Sequence, residues 1–336
     1  MTGRKLRLAA VTIVALTTGA LLARTSGQAP SSTQADSGNW IYYGGDARNW
    51  RYKPFDQVNA QNFRELQVAW RFRTDNLGPN LDFRLGATAI EANGVVYVNG
   101  GGMRRSVAAV DAATGTLLWV HTEDEGHRAE FAPRITSGRG VSYWTDGREE
   151  RIIYVTTCYR MKALNAKTGQ LIPTFGDGGV IDLKKDFDQD LSRFARNGED
   201  ALTMADIGLH ASPVIGKDTI VVGAAGREGT TPYRLDEVKG YVRAFDVRTG
   251  KRLWTFHTIP FPGEFGNNTW LDDSWSFTGN TGVWTQIAVD EQLGLAYLPV
   301  ELPTGDYYGG HRPGDSLFSE SLVAVDLRTG QRRWHY

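Results

Sequence analysis

Cys158 is the only cysteine in the chain, and no C-x-x-C, H-E-x-x-H or C-x-x-C-H spacing occurs. The sequence therefore builds no disulfide, zinc or covalent haem centre of its own, and redox chemistry would have to come from a bound cofactor. Five residues are candidates to serve one. Arg139 in SGRGVSYW offers a planar guanidinium that pairs with carboxylates, or is a surface arginine. Trp284 in GNTGVWTQ offers a broad apolar plane, or is core. Asp306 in PTGDYYGGHR suits a proton acceptor, and beside Gly305 it equally suits a turn cap. Glu228 in VVGAAGREG is one carboxylate where calcium wants several hard oxygens. His210 in GLHASPV is a lone histidine, a type more often structural than ligating.

The elements that must position these residues come from a repeat, A-x-[DN]-x-x-T-G-x-x-x-W. It occurs as AVDAATGTLLW from Ala109, ALNAKTGQLIP from Ala163, AFDVRTGKRLW from Ala244 and AVDLRTGQRRW from Ala324, with a degenerate fifth copy ending at Trp70. The anchors Asn62, Asp111, Asn165, Asp246 and Asp326 lie 49, 54, 81 and 80 residues apart. Such periods suit four-stranded blades with loop insertions. Each copy reads as strand, tight turn and strand: Asp or Asn caps the turn, Gly supplies a positive φ, and Trp sits on the outgoing strand. Strand-length β-branched runs stand upstream at GVVYVNG, RIIYVTT, DTIVVGA and GLAYLPV. Helical periodicity is scarce, with one short helix expected over Asp186 to Arg196. The fold class is all-β, a β-propeller.

Composition sets the limits. The chain has 336 residues, 41% of them hydrophobic, with 37 basic against 38 acidic groups and a net charge of -1. That balance excludes the positive footprint selected by nucleic acid. Residues 1–35 read as an address: Arg4, Lys5 and Arg7 precede an uncharged apolar run from Leu8 to Ala23, followed by a small polar linker. A secretory signal is expected, with an uncleaved membrane anchor as the alternative. Residues 36–336 are then a periplasmic, or exported and inner-membrane-anchored, domain.

The repeat resembles the docking motif of the quinoprotein dehydrogenases, which carry pyrroloquinoline quinone (PQQ) on an eight-bladed propeller. WIYYGGDARNWRYKPFDQVNAQNF from Trp40 is similar to that family's opening segment, and the likeness runs to the last residue. VWTQIAVDEQLGLAYLPVELPTGDYYGGHR resembles the branch that includes membrane glucose dehydrogenase. The resemblance implies a sugar or other alcohol as substrate, a divalent cation (calcium, with magnesium as the alternative), and a separate electron acceptor, ubiquinone or a cytochrome. It implies that Arg139 pairs with a PQQ carboxylate and that Trp284 lies under the quinone ring. His210 takes the place of a hydroxyl residue that touches a carboxylate of the cofactor, Glu228 that of a calcium-binding glutamate, and Asp306 that of the general base. The implied reaction moves a hydride from an alcohol carbon to the quinone C5 while a carboxylate takes the hydroxyl proton and the cation polarises the carbonyl.

Four features depart from the family. Gly86 stands where relatives carry Gln or Glu, and Ala89 where they carry Pro. Leu302 replaces an asparagine that alcohol-type relatives use on calcium. Pro133 and Arg134 occupy the place of a vicinal cysteine pair. The chain stops at Tyr336, two residues past a docking Trp, so about half of the blades are expected, as in a fragment or truncated product. The alternative function is a non-catalytic periplasmic propeller scaffold of the outer-membrane assembly type, for which the residues kept at 139, 284 and 306 would have no use.

Overall fold

Sixteen strands form four antiparallel four-stranded sheets, each a meander in chain order, in a computed structural model that describes residues 38–78, 85–102, 106–135, 138–227, 235–305 and 307–336. Blade 1 comprises β1 (Ile90–Ala92), β2 (Val95–Gly100), β3 (Ser106–Asp111) and β4 (Leu117–Thr122). Blade 2 comprises β5 (Ser142–Thr145), β6 (Glu150–Val155), β7 (Arg160–Asn165) and β8 (Val180–Asp182). Blade 3 comprises β9 (Val214–Gly216), β10 (Thr219–Val222), β11 (Val242–Asp246) and β12 (Arg252–Phe256). Blade 4 comprises β13 (Ala288–Asp290), β14 (Leu295–Pro299), β15 (Leu322–Asp326) and β16 (Arg332–His335). The first strands pack side by side in the order β1, β5, β9, β13, so each is the innermost strand of its blade. This is the β-propeller arrangement, with four blades among the described residues.

Blade stacking explains why the second strands read as unbroken apolar runs. Ile152 and Tyr154 of β6 face blade 1, while Ile153 and Val155 face blade 3. Val221 of β10 faces blade 4, while Ile220 and Val222 face blade 2. A strand buried on both faces has no polar side to alternate with. Burying each of these side chains contributes about 1.5–3 kcal/mol before chain entropy is counted.

The repeat does what its residues dictate. Asp111 Oδ1 accepts from Ala113 N (3.1 Å), Thr114 N (2.8 Å) and Thr114 Oγ1 (2.8 Å), closing the turn between β3 and β4. Asp246 and Asp326 repeat all three bonds, and Asn165 repeats the two backbone ones. Gly115, Gly169, Gly250 and Gly330 take φ of 71–74°. A second demand falls on Gly115, Gly169 and Gly330, because an earlier segment of the chain lays a tryptophan over each. A Cβ on Gly169 would stand 2.5 Å from the Trp119 ring, and one on Gly330 2.6 Å from Trp254. The indole N–H of Trp119 donates to Ala166 O (2.9 Å) and that of Trp254 to Leu327 O (3.0 Å), each the carbonyl just after the turn's Asn or Asp.

Copy two ends in Pro173, and two residues divide the missing indole's work. Ile181 covers Gly250, where a Cβ would be 2.6 Å from its Cδ1, and the buried Arg151 donates to Val247 O (2.9 Å). The fifth copy is half right. Trp70 docks on blade 1 through Ala112 O (3.0 Å) and over Gly115, but Asn62 leads into a 3-10 turn, Phe63–Glu65, and residues 62–73 pair with no strand. The helix expected over Asp186 to Arg196 is absent. Asp186 sits at φ 50° and breaks the run, leaving a 3-10 turn at Ser192–Phe194, and among the described residues the one α-helical turn is Ala201–Met204, capped by Asp200. Among the described residues no helix is long and apolar enough to cross a membrane. The expected signal or anchor lies outside the described residues.

Candidate cofactor site

In an antiparallel meander the start of strand one, the end of strand two and the start of strand three share one face of the propeller. The D-x-x-T-G turns lie on the other. Gly86, Arg139, His210 and Trp284 stand just ahead of β1, β5, β9 and β13, so register alone brings them to a common face. The lead-in loops are stitched one to the next, from blade 1 to blade 4. Thr88 N donates to Arg139 O (3.2 Å), Arg139 N to His210 O (2.9 Å), and Gln286 Nε2 to Ser212 Oγ (3.2 Å). Ser142 Oγ also donates to Pro213 O.

Along that series of loops the half-buried Arg139 lies over Trp284, its guanidinium carbon 5.2 Å from the ring centroid. Trp284 is 37% exposed, an unusual state for so large an apolar plane, and it borders a cleft of about 520 Å³ lined by residues 299–302 and 320–322. Two participants escaped the sequence reading. Residues 40–51 form a strap across the inner strands: Trp40 pairs with Glu91 of β1, Tyr42 Oη donates to Ile215 O (2.9 Å), and Val289 N donates to Ala47 O (2.8 Å). The strap delivers Tyr43 to Arg139, and Arg51 stacks on Tyr43 at 5.0 Å. Burial works to raise the Tyr43 phenol, but the Arg139 and Arg51 guanidiniums beside it prevail and hold it below its ordinary value. No spacing rule places residue 43 against residue 139.

Among the described residues neither Arg139 nor Arg51 is paired with a carboxylate. Two such cations beside an exposed indole fit a planar polycarboxylate. His210 joins the site through its backbone carbonyl. Pro133 and Arg134 fill their place by packing on Gly208, where a Cβ would stand 3.2 Å from the buried Arg134.

Glu228 and Asp306 lie outside the described residues, so their expected metal-binding and base roles rest on chain position alone. They follow β10 and β14, whose ends reach this same face. The described residues contain no group of three or more His, Cys, Asp or Glu that could hold a metal ion. Leu302 brings no side-chain donor, and its carbonyl already accepts from Asn280 Nδ2 (3.1 Å) and Thr281 N (3.1 Å). The described donor set alone does not fit a divalent cation.

A propeller whose strap and lead-in loops present cations and an indole on one face is a ligand-binding β-propeller. Residues 40–336 match the family model described as PQQ, glucose/ethanol/alcohol dehydrogenase, beta-propeller domain, and the chain belongs to that family. It is 31% identical over 314 residues to the quinoprotein glucose dehydrogenase of Escherichia coli, covering 89% of this chain and 37% of that protein. It is 30% identical to the dehydrogenase subunit of the quinone alcohol dehydrogenase of Gluconobacter oxydans, with the same coverage of each chain. The solved quinohemoprotein alcohol dehydrogenase of Pseudomonas putida superposes with a TM-score of 0.71 at 28% identity, over 89% of this chain and 40% of its own. The chain thus spans well under half the length of the relatives it matches.

Proposed function

We propose that this chain is the PQQ-holding portion of a dehydrogenase that oxidises a sugar or another alcohol on the periplasmic side of a membrane. The observation that carries the reading is the Arg139–Trp284 pair, a guanidinium with no carboxylate partner among the described residues and an exposed indole, on the loop face of a propeller of this family. Arg139, with Arg51 beside it, binds carboxylates of the cofactor, and Trp284 fixes the tilt of its plane. The bound quinone supplies the two-electron acceptor that no side chain offers. Asp306 takes the proton of the substrate hydroxyl, and His210 orders the rim of the pocket through its contact with Arg139. A separate quinone or cytochrome receives the electrons. Glu228 is the one carboxylate proposed for a cation, and no step is derived through that ion.

Titration of the full chain with PQQ, followed by quenching of tryptophan fluorescence, tests the reading. Arg139→Met is expected to raise Kd tenfold or more, about 1.4 kcal/mol, and Trp284→Ala to remove most of the quenching. Dye-linked oxidation of glucose or ethanol by the PQQ-loaded chain would then report turnover. A folded chain that takes up no PQQ would shift the assignment to a non-catalytic scaffold.

A further inference from the structure

Two features of the strap go beyond what tying blades together requires. Arg51 sits at φ 56°, a left-handed conformation disfavoured for a long side chain. Its N–H holds it there by donating to Gly44 O (2.7 Å), and Gly44 admits the close approach, since a Cβ on it would stand 2.5 Å from Asn49 Cα. The effect is to lay the Arg51 guanidinium over the Tyr43 ring, 5.0 Å from its centroid. The second feature is the parting of two neighbouring tyrosines. Tyr42 Oη donates to Ile215 O of β9 and anchors the strap, whereas Tyr43 turns to Arg139 on the loop ahead of β5. Asp46, the one acid in residues 40–51, is occupied locally: it accepts from Arg48 N (3.0 Å) and Trp50 N (3.1 Å) and pairs with the Arg48 guanidinium at 3.4 Å. The strap thus spends its own acid on Arg48.

A phenol has one proton to give and lone pairs to receive with, while a guanidinium only donates. Arg139 and Arg51 both donate toward the Tyr43 oxygen, so the phenol proton is left to be given elsewhere. A carboxylate, which only accepts, can take that O–H together with N–H groups from the guanidiniums. We propose that Tyr43 and Arg51 complete, with Arg139, a binding site for a carboxylate of a planar polycarboxylate. The phenol oxygen braces the two guanidiniums and its O–H joins them on the ligand. Naming that ligand PQQ rests on the dehydrogenase reading, whereas the site itself rests on the strap. Tyr43 touches no reacting atom, and its part is to bind and to position.

Tyr43→Phe keeps the ring under Arg51 and removes only the hydroxyl, while Arg51→Gly keeps the left-handed backbone and removes the cation. In titrations of the full chain read by tryptophan fluorescence, each is expected to weaken PQQ about tenfold and to leave the affinity for PQQ trimethyl ester, which has the plane without the charges, unchanged. Benzene tricarboxylate, which has the charges without the quinone, should follow PQQ. The phenol supplies a signature that a structural role would not move. In the free chain, the phenolate absorbance lost in Tyr43→Phe should belong to a group ionising below 10.0, and in Arg51→Gly that ionisation should move up. A bound carboxylate opposes ionisation of the phenol that donates to it, so PQQ affinity should fall by up to about tenfold per pH unit above that ionisation in the wild type and stay level in Tyr43→Phe. Equal losses for acid and ester, or no loss for either, would overturn the proposal and leave the dehydrogenase reading standing. A wild-type chain that takes up no PQQ would remove that reading instead. Benzene tricarboxylate would then decide: weaker binding in Tyr43→Phe upholds the site, and equal binding or none overturns it.

Discussion

The two faces of this propeller are built on opposite plans. The turn face repeats one device four times, an Asp or Asn oxygen taking the N–H groups two and three residues on and a glycine at φ near 72°. On the loop face the connections range from the four residues 156–159 to the 31 residues 183–213, and Arg139, Tyr43, Trp284 and Asn280 each arrive by a different route. Stability is specified by repetition and chemistry by exception, so one face tolerates functional change because the other does not vary.

Substitutions on the turn face should therefore cost folding energy and spare binding, with the reverse on the loop face. Trp254→Ala is the severest: the indole is 7% exposed and fills the seam between blades 3 and 4, and urea unfolding should show a loss of about 4 kcal/mol. Gly169→Ala comes next, at about 3 kcal/mol, because the new methyl meets the Trp119 ring at a φ of 72°. Asp246→Ala should cost about 1 kcal/mol, and Asp246→Asn less than about 0.5 kcal/mol, since Asn165 already fills the same role in blade 2. The two Asp246 variants also separate by pH. Burial works to raise the Asp246 carboxyl, but hydrogen bonds from Thr249 and Arg248 prevail and hold it below its ordinary 3.8. Its stabilisation is therefore present above that value and lost as pH falls through the depressed one, and the asparagine variant should lack that loss. At the other pole, Arg139→Met should change the unfolding free energy from urea titration by less than about 0.5 kcal/mol while weakening PQQ uptake. A large loss of stability there would dissolve the contrast between the faces.

The turn face was legible because its causes are local: D-x-x-T-G carries the bonding atoms, the glycine and the spacing within a few residues. The seam between blades 2 and 3 was not, because Ile181 and Arg151 replace one indole from two different strands. On the loop face, the positions of Arg139, His210 and Trp284 ahead of the inner strands follow from repeat register, and their chemistry was carried by resemblance. Tyr43, Arg51 and Asn280 were invisible. Their partners lie far away along the chain, at Arg139 for Tyr43 and at Gly226 for Asn280, and no periodicity connects them. The helix expected near Asp186 failed for the same reason, as Asp188 is held by Arg252 and His257 of blade 3 rather than by its own neighbours.

The strap over residues 40–51 leaves an imprint on how the molecule acquires its shape. Asn49 Nδ2 reaches Ile287 O across 238 residues of sequence, and Ala47 waits for Val289. At synthesis rates of about 5–20 residues per second, tens of seconds pass between the making of the strap and of its last partner. Each blade closes through short-range pairings, but the segment made first among the described residues finds its full set of partners last. The strap is thus a latch of high contact order that slows the final step, since its bonds from Ala47 and Asn49 cannot close until blade 4 is in place.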